Sequence, residues 1–205
     1  MRGQVYRSRA GWVFGWAWLL FTAWNVWDLA AHGTMPSALV AGAVLGVVTA
    51  LVFLLAMRPA VVAGEEGILV RNPLRNTRIP WSAVDDVIVT SGIVIESGET
   101  AVRCWVPQAS ARERARATRR AARAIAATAS DTMSKTEKAA AEAIGARTHA
   151  DWVGQQLMEA RAERLGVEPG AARGAVTAQV TWSPSALAAV AAALALVVLI
   201  VVLSV

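Results

Sequence analysis

The sequence is poor in the residues from which catalytic and metal sites are most often built. Its 205 residues include one cysteine, Cys104, and two histidines, His32 and His149. A single cysteine excludes an internal disulfide and a cysteine-rich metal site. Cys104 alternates with Val102 and Val106 in a predicted strand, so we expect a buried, unreactive thiol. The chain also has no cluster of histidine and acidic residues at metal-ligand spacing, and no glycine-rich phosphate-binding loop. We therefore expect no catalytic residue, no metal site and no cofactor, and the sequence does not predict an enzyme.

Charged side chains are almost absent from both ends of the chain. Asp28 is the one acidic residue before Arg58, and no charged side chain follows Arg173. Three apolar blocks, at 11–31, 37–57 and 185–205, fill these regions. A segment of about 20 apolar residues can cross the ~30 Å hydrocarbon core of a bilayer. The pattern predicts a membrane protein with three spans and one soluble module.

The first apolar block has two interpretations. A cleaved signal peptide is one, because arginines precede an apolar run. The other is an uncleaved anchor, which its length and its five tryptophans favour. Trp12 and Trp16 would lie near one membrane interface and Trp24 and Trp27 near the other, where an indole keeps its N–H hydrated. We expect the anchor, with Asp28 as a solvated carboxylate near its far end.

The positive charges predict an orientation in the membrane. Arg2, Arg7 and Arg9 precede the first span, whereas the loop 31–36 has no lysine or arginine. Because cytoplasmic segments are enriched in these residues, we expect a protein of the plasma (inner) membrane. Its N-terminus and soluble module would be cytoplasmic, and its C-terminus would lie outside. The net charge of +5 favours membrane lipids over nucleic acid as the anionic partner.

The residue pattern divides the chain into six segments. Short alternating runs of apolar residues between 58 and 107, separated by turn residues, predict about six strands. Two of them are joined by a hairpin turn at Glu96-Ser-Gly-Glu99. The predicted segments are a basic N-terminus (1–10), a transmembrane hairpin (11–57), a β domain (58–107), an Ala/Arg-rich helical region (108–173), a possible returning strand (174–182) and a final transmembrane helix (183–205).

Arginines at two places are candidates for binding a headgroup or a partner. Arg71, Arg75 and Arg78 flank one predicted turn, and guanidinium groups match the geometry of phosphates. In the helical region the arginines at positions 112, 116, 119 and 123 follow the spacing of one helix face. That face could equally belong to a solvated helix or a partly disordered linker. We expect it to face water or lipid headgroups, because burying these cations is costly. The candidate site residues are Arg71, Arg75, Arg78, Arg112, Arg116, Arg119 and Arg123.

Two motifs in the β region resemble a known family. Gly67-Ile-Leu-Val-Arg-Asn72 is followed by Arg78-Ile-Pro-Trp-Ser-Ala-Val-Asp-Asp-Val87 and then by a Gly-Glu hairpin. This pattern resembles the bacterial PH-like domain of actinobacterial membrane proteins of the low-molecular-weight antigen 6 type, which place a hydrophobic hairpin before the domain. The resemblance implies a bent antiparallel roll closed at one end by a helix, and we expect Trp81 to lie inside the sheet. Trp152 is then expected to plug the roll, or to pack helix against helix.

The expected fold is an α+β integral membrane protein that contains a small PH-like antiparallel β-roll, Ala-rich helices and transmembrane helices at both ends. Gly42 and Gly46 allow close helix packing, either in a three-helix bundle within one chain or in a helix dimer. The expected function is a membrane-anchored binding or adaptor protein that assembles with another membrane protein or with itself. The alternative is a module that binds anionic lipid headgroups.

Overall fold

The computed structural model describes residues 4–108, 111–128, 147–165 and 178–204. It contains eight strands and five described helices, so the predicted mixed α+β architecture is confirmed. The helices are α1 (Arg9–His32), α2 (Ser37–Val52, continued by a π-helical turn at Phe53–Met57), α3 (Ala111–Thr128), α4 (His149–Leu165) and α5 (Pro184–Ser204). The strands are β1 (Gln4–Tyr6), β2 (Ala60–Ala63), β3 (Gly67–Arg71), β4 (Arg75–Pro80), β5 (Asp86–Val89), β6 (Gly92–Ser97), β7 (Thr100–Gln108) and β8 (Gln179–Trp182).

The strands form two antiparallel sheets. The first sheet has the order β1-β2-β3-β4-β8, and the second has the order β5-β6-β7. The predicted hairpin joins β6 to β7, where Ser97 pairs with Thr100 and Gly98 adopts a φ of 57°. Both outer strands of the first sheet come from sequence outside the β region predicted at 58–107. The sheet is therefore completed by the segments that lead to the apolar helices.

The core lies between the two sheets and helix α4. Ile68, Ile79, Ile93 and Ile95 are fully buried in it. Trp81 is also buried, as the sequence predicts, and its indole N–H donates to the Gly64 carbonyl at 3.1 Å. Helix α4 covers this core and contacts all three strands of the second sheet. The two sheets and their covering helix thus form one packed unit.

Strand register places three helix ends at the same end of the first sheet. Tyr6, at the end of β1, pairs with Val61 in β2, and Trp182, at the end of β8, pairs with Arg75 in β4. Helix α1 begins after β1, helix α2 leads into β2, and helix α5 begins after β8. All three helices therefore leave the β domain from one end.

The three helices pack together as a bundle with α2 in contact with both others. Trp18 in α1 donates its indole N–H to Thr49 in α2 at 3.1 Å. A Cβ on Gly46 would lie 2.5 Å from Leu196 of α5, so the absent side chain lets the helices approach closely. Packing within one chain, the first of the two arrangements expected from the glycine motif, is the one in this structure.

Two segments of the described chain are long and apolar enough to cross a membrane by length and composition. They are Ser37–Met57 and Pro184–Leu203, with mean hydropathies of 2.7 and 3.2. Only 11% and 6% of their most apolar windows are buried, so most of their side chains face outward. The 24-residue helix α1 does not meet the same criterion. Its tryptophans, together with Asn25 and Asp28, reduce its hydropathy.

The structure places Trp152 differently from the expectation and contains part of the predicted returning strand. Trp152 does not plug the roll: its side chain is 49% exposed, whereas Val153 and Leu157 fill that place. A helix turns its side chains by about 100° per residue, so one position decides which side chain meets the sheet. The returning strand predicted at 174–182 is present as β8, which pairs with β4, and all four residues of β8 are exposed. Residues 174–177 of that segment lie outside the described residues.

Candidate functional site

Helix α3 carries a cleft lined by cations. The cleft has a volume of about 790 Å³, and its described lining consists of Glu113 and five arginines. Four of these are the predicted face residues, and all four are exposed, as expected. Arg120 is the fifth, and its Nε lies 3.4 Å from the Arg116 carbonyl. The lining residues are Arg112, Glu113, Arg116, Arg119, Arg120 and Arg123.

The sequence of α3 explains why its arginines stay at the surface. Alanine and arginine favour the helix, and Glu113 in the first turn complements the helix dipole. Among the described side chains of α3, the buried ones are Ala117 and Ala121. These two methyl groups bury little apolar area, so the packing of α3 does not bring its arginines into the interior. The helix therefore presents a concentrated positive surface whose one acidic residue is Glu113.

The arginines beside the β3–β4 turn do not converge on one point. Arg71 pairs with Asn76 across the hairpin, and Arg78 pairs with Leu69 further along, on the outer face of the sheet. Arg75 lies at the start of β4, with its guanidinium 5.0 Å from the centre of the Trp182 ring. Because side chains alternate along a strand, Arg75 and Arg78 point to opposite faces. The turn does not form a pocket around all three.

The end of the sheet next to the helices has its own group of exposed residues. Leu74 is 42% exposed, Trp105 43% and Trp182 57%. Trp105 donates its indole N–H to the Leu55 carbonyl at 3.3 Å, and the Leu74 carbonyl accepts from the Ser183 backbone N–H at 3.0 Å. Together with Arg75, these side chains form a rim (Leu74, Arg75, Trp105, Trp182) around the junction between the β domain and the helices.

The junction contains a buried cation that sequence reasoning missed. Arg58 is 8% exposed, and its Nε donates to Ser183 Oγ at 3.1 Å while one amino group donates to Asn76 Oδ1. The other amino group has no hydrogen-bond partner. Burial and then nearby Arg71 lower the Arg58 pKa. Arg58 thus links α2, β4 and the start of α5. In the sequence, the signal for this role is an arginine that directly follows an apolar span.

The remaining candidates for chemistry are isolated. Burial raises the pKa of the Cys104 thiol to about 12, which fits the unreactive buried thiol expected from the sequence. Asp28 and His32 lie 3.1 Å apart and are exposed on α1. Within the described part of the chain, no three His, Cys, Asp or Glu side chains are arranged to hold a metal.

Comparison with known proteins agrees with the β unit described above. The sequence model of a bacterial PH domain family matches residues 58–148, less than half of the chain. No curated protein matches the chain. No solved structure matches it either. The matched segment begins at the buried Arg58 and includes strands β2 to β7 and helix α3. Residues 58–148 are therefore similar to a bacterial PH domain, and the sheet of this region is completed by strands from outside the matched residues.

Proposed function

We propose that this protein is a membrane-anchored PH-like adaptor whose helix α3 binds an acidic segment of another membrane protein. The arginine cleft of α3 is the observation that carries this proposal. It groups five guanidinium groups with one carboxylate in about 790 Å³. Guanidinium forks bind carboxylates in bidentate geometry, so aspartate and glutamate side chains match this surface. A PH-like domain is itself a binding module, which suits an adaptor.

Anchoring in a membrane is part of the proposal. The two apolar helices expose most of their surface. Helix α1 packs beside α2, and we propose it as the third span. Since all three helices leave the domain from one end, a bilayer around them would place the whole domain on one side. The arginines before α1 favour the cytoplasmic side, with the C-terminus outside. A hydrophobic hairpin before the domain also matches the low-molecular-weight antigen 6 type.

A protein partner fits α3 better than a membrane surface does. Helices that lie on a bilayer insert large apolar side chains such as Trp, Phe or Leu on one face. Helix α3 contains no Trp, Phe or Leu and one large apolar residue, Ile125, and its described buried side chains are alanines. Its affinity for a bilayer would therefore depend mainly on charge, about 1 kcal/mol for each basic residue near the surface. An acidic peptide adds bidentate hydrogen bonds between its carboxylates and these guanidinium groups.

Co-purification from native membranes in mild detergent tests the adaptor function. Replacing Arg112, Arg116, Arg119 and Arg123 with glutamine should remove a stoichiometric membrane partner. A matched control replaces four arginines of the sheets with glutamine and should retain that partner. These arginines are Arg71, Arg75, Arg78 and Arg103. Retention by both variants, or absence of any partner from the wild type, would reject the adaptor. A partner with the mass of this chain would identify self-association.

The rim around the helix junction favours a second candidate function, which is recognition of anionic lipid headgroups. Arg75 and the three apolar rim residues combine a cation with side chains typical of the membrane interface. Flotation with vesicles containing phosphatidylglycerol or only phosphatidylcholine would test it. Replacing Arg75, the one arginine of the rim, with alanine should reduce the preference for the anionic vesicles if the rim binds headgroups. Replacing Arg71 and Arg78, which lie outside the rim, should leave that preference unchanged. An unchanged preference in the Arg75 variant would exclude this function for the rim.

A further inference from the structure

A second large groove lies between β1, the first turn of α1 and helix α4. Its volume is about 930 Å³. One wall is made by Trp152, which stacks on His149 with ring centres 5.8 Å apart and meets the Tyr6 ring edge-on at 6.0 Å. Trp12 and Val13 of α1 form the other end, and they are 45% and 64% exposed. Most of this groove lies outside the residues that match the PH domain.

The groove is basic at one end and apolar at the other. Arg7, Arg9 and His149 supply the basic side chains, and none of the described residues lining the groove is acidic. Two carboxylates lie nearby. Glu159 accepts hydrogen bonds from Gln155 and Gln156, and Glu113 lies in a smaller pocket beside Arg9. The groove itself therefore favours an anion.

The apolar end of the groove continues onto the surface of α1. Trp12 packs edge-on against Trp16, with ring centres 5.7 Å apart, and both rings are about half exposed. An occupant with an anionic group beside Arg7 and Arg9 could extend an apolar chain along these rings. A peptide would need apolar and acidic groups at matching spacing, whereas a phospholipid has both ends in one molecule. When α1 lies in the bilayer, a phospholipid can also enter the groove directly from the membrane, without crossing water.

We propose that this groove holds one glycerophospholipid with an anionic headgroup, bound as a resident lipid. The phosphate lies between Arg7 and Arg9, near the His149 side, and one acyl chain follows Trp12 and Val13. Tyr6 and Trp152 close the side that faces the β domain. This inference rests on the membrane anchoring in the proposed function, but it does not depend on the partner of α3 or on the rim arginines.

Native mass spectrometry of the full-length protein tests the site. The protein is reconstituted in nanodiscs made from an equimolar mixture of phosphatidylcholine and phosphatidylglycerol, and then released into a mild detergent. We expect one phosphatidylglycerol to remain bound, in preference to phosphatidylcholine. Replacing Arg7 and Arg9 with glutamine should lower its occupancy on the order of tenfold or more, because two phosphate contacts are lost. The matched control, Arg112→Gln with Arg116→Gln, should retain the lipid.

A second variant tests the groove without changing its charge. Gln156→Trp places a large ring in the groove and should displace the lipid while leaving α4 folded, which circular dichroism can verify. Equal retention of both lipids, or retention by both groove variants, would overturn the inference. Extraction of the wild-type protein by alkaline carbonate would instead show that the anchoring itself is wrong. Loss of a protein partner in the α3 variants is a separate result and leaves this site unaffected.

Discussion

Helices α3 and α4 differ in composition and in their roles in the fold: alanine and arginine dominate α3, whereas α4 also contains large apolar and acidic residues. Helix α4 buries Val153 and Leu157 completely against the second sheet, and it even buries Arg161. Helix α3 buries alanines and exposes the arginines of its face. Two large apolar side chains at positions i and i+4 thus distinguish a structural helix from a helix that presents charge. Helix α4 therefore stabilises the fold, whereas α3 is the helix that we propose to bind a partner.

The first prediction tests the structural role of α4. Leu157→Ala should destabilise the folded domain by about 2–5 kcal/mol, because a fully buried leucine leaves a cavity. Chemical denaturation of the full-length protein in detergent, followed by tryptophan fluorescence, would measure the change. Trp152→Ala is the control on the same helix, and it should cost less because half of its side chain is exposed. A larger effect at Trp152 would contradict the assigned packing of α4.

The second prediction concerns the link between the β domain and the helices. Asn76→Ala removes one acceptor from the buried Arg58 guanidinium and should cost about 1–3 kcal/mol, since a buried donor loses its partner. Adding Arg58→Met should recover part of this loss, because an apolar side chain of similar length needs no acceptor. Thermal unfolding of both variants would measure the effect. If the stability losses of the two substitutions add up in the double variant, Arg58 and Asn76 are not coupled.

The third prediction uses the thiol of Cys104. Its pKa is raised by burial to about 12 from an ordinary value of 9.0, so the unfolded chain loses this proton first as pH rises. The thiol therefore favours the folded state below the unfolded pKa and ceases to do so as pH rises towards the folded value. Between pH 9 and 10, wild type should lose about 1 kcal/mol more stability than Cys104→Ala. The same dependence of stability on pH in both proteins, or rapid alkylation of the folded protein at pH 8, would show an accessible thiolate.

The β region was the most predictable part of the chain. Alternating apolar residues, Trp81 and the turn at Gly98 were sufficient to predict a small antiparallel unit with a buried tryptophan. Of the two outer strands, β8 lies within the returning strand predicted at 174–182, whereas β1 has only three residues, too few for a period to be visible. Trp152 was misplaced because periodicity does not fix which face of a helix meets the sheet.

The candidate site was predictable in its residues but not in their arrangement. The spacing of the α3 arginines was sufficient to predict an exposed face. The sequence did not reveal that Arg75 and Arg78 point to opposite faces of the sheet, because that depends on where β4 begins. It also did not reveal the role of Arg58, whose partners Asn76 and Ser183 come from distant parts of the chain.

The fourth prediction has the smallest effect on stability. Replacing Arg112, Arg116, Arg119 and Arg123 with glutamine should change the free energy of unfolding by no more than about 0.5 kcal/mol per site, because exposed side chains contribute little. Denaturation of this variant and of Leu157→Ala under the same conditions would compare the contributions of α3 and α4 to the free energy of unfolding. A loss as large as that of Leu157→Ala would show that the arginine face is packed within the fold.

Photocrosslinking in native membranes tests the binding role of α3 most directly. A photoreactive amino acid is introduced at Ala115, an exposed position between Arg112 and Arg119, and separately at Glu99 on the distant β6–β7 hairpin. Our account predicts one discrete protein adduct from position 115 that disappears when the four face arginines are replaced, and no such adduct from position 99. Crosslinks from position 115 to lipid alone, or the same protein adduct from both positions, would contradict the assignment of α3 as the binding surface.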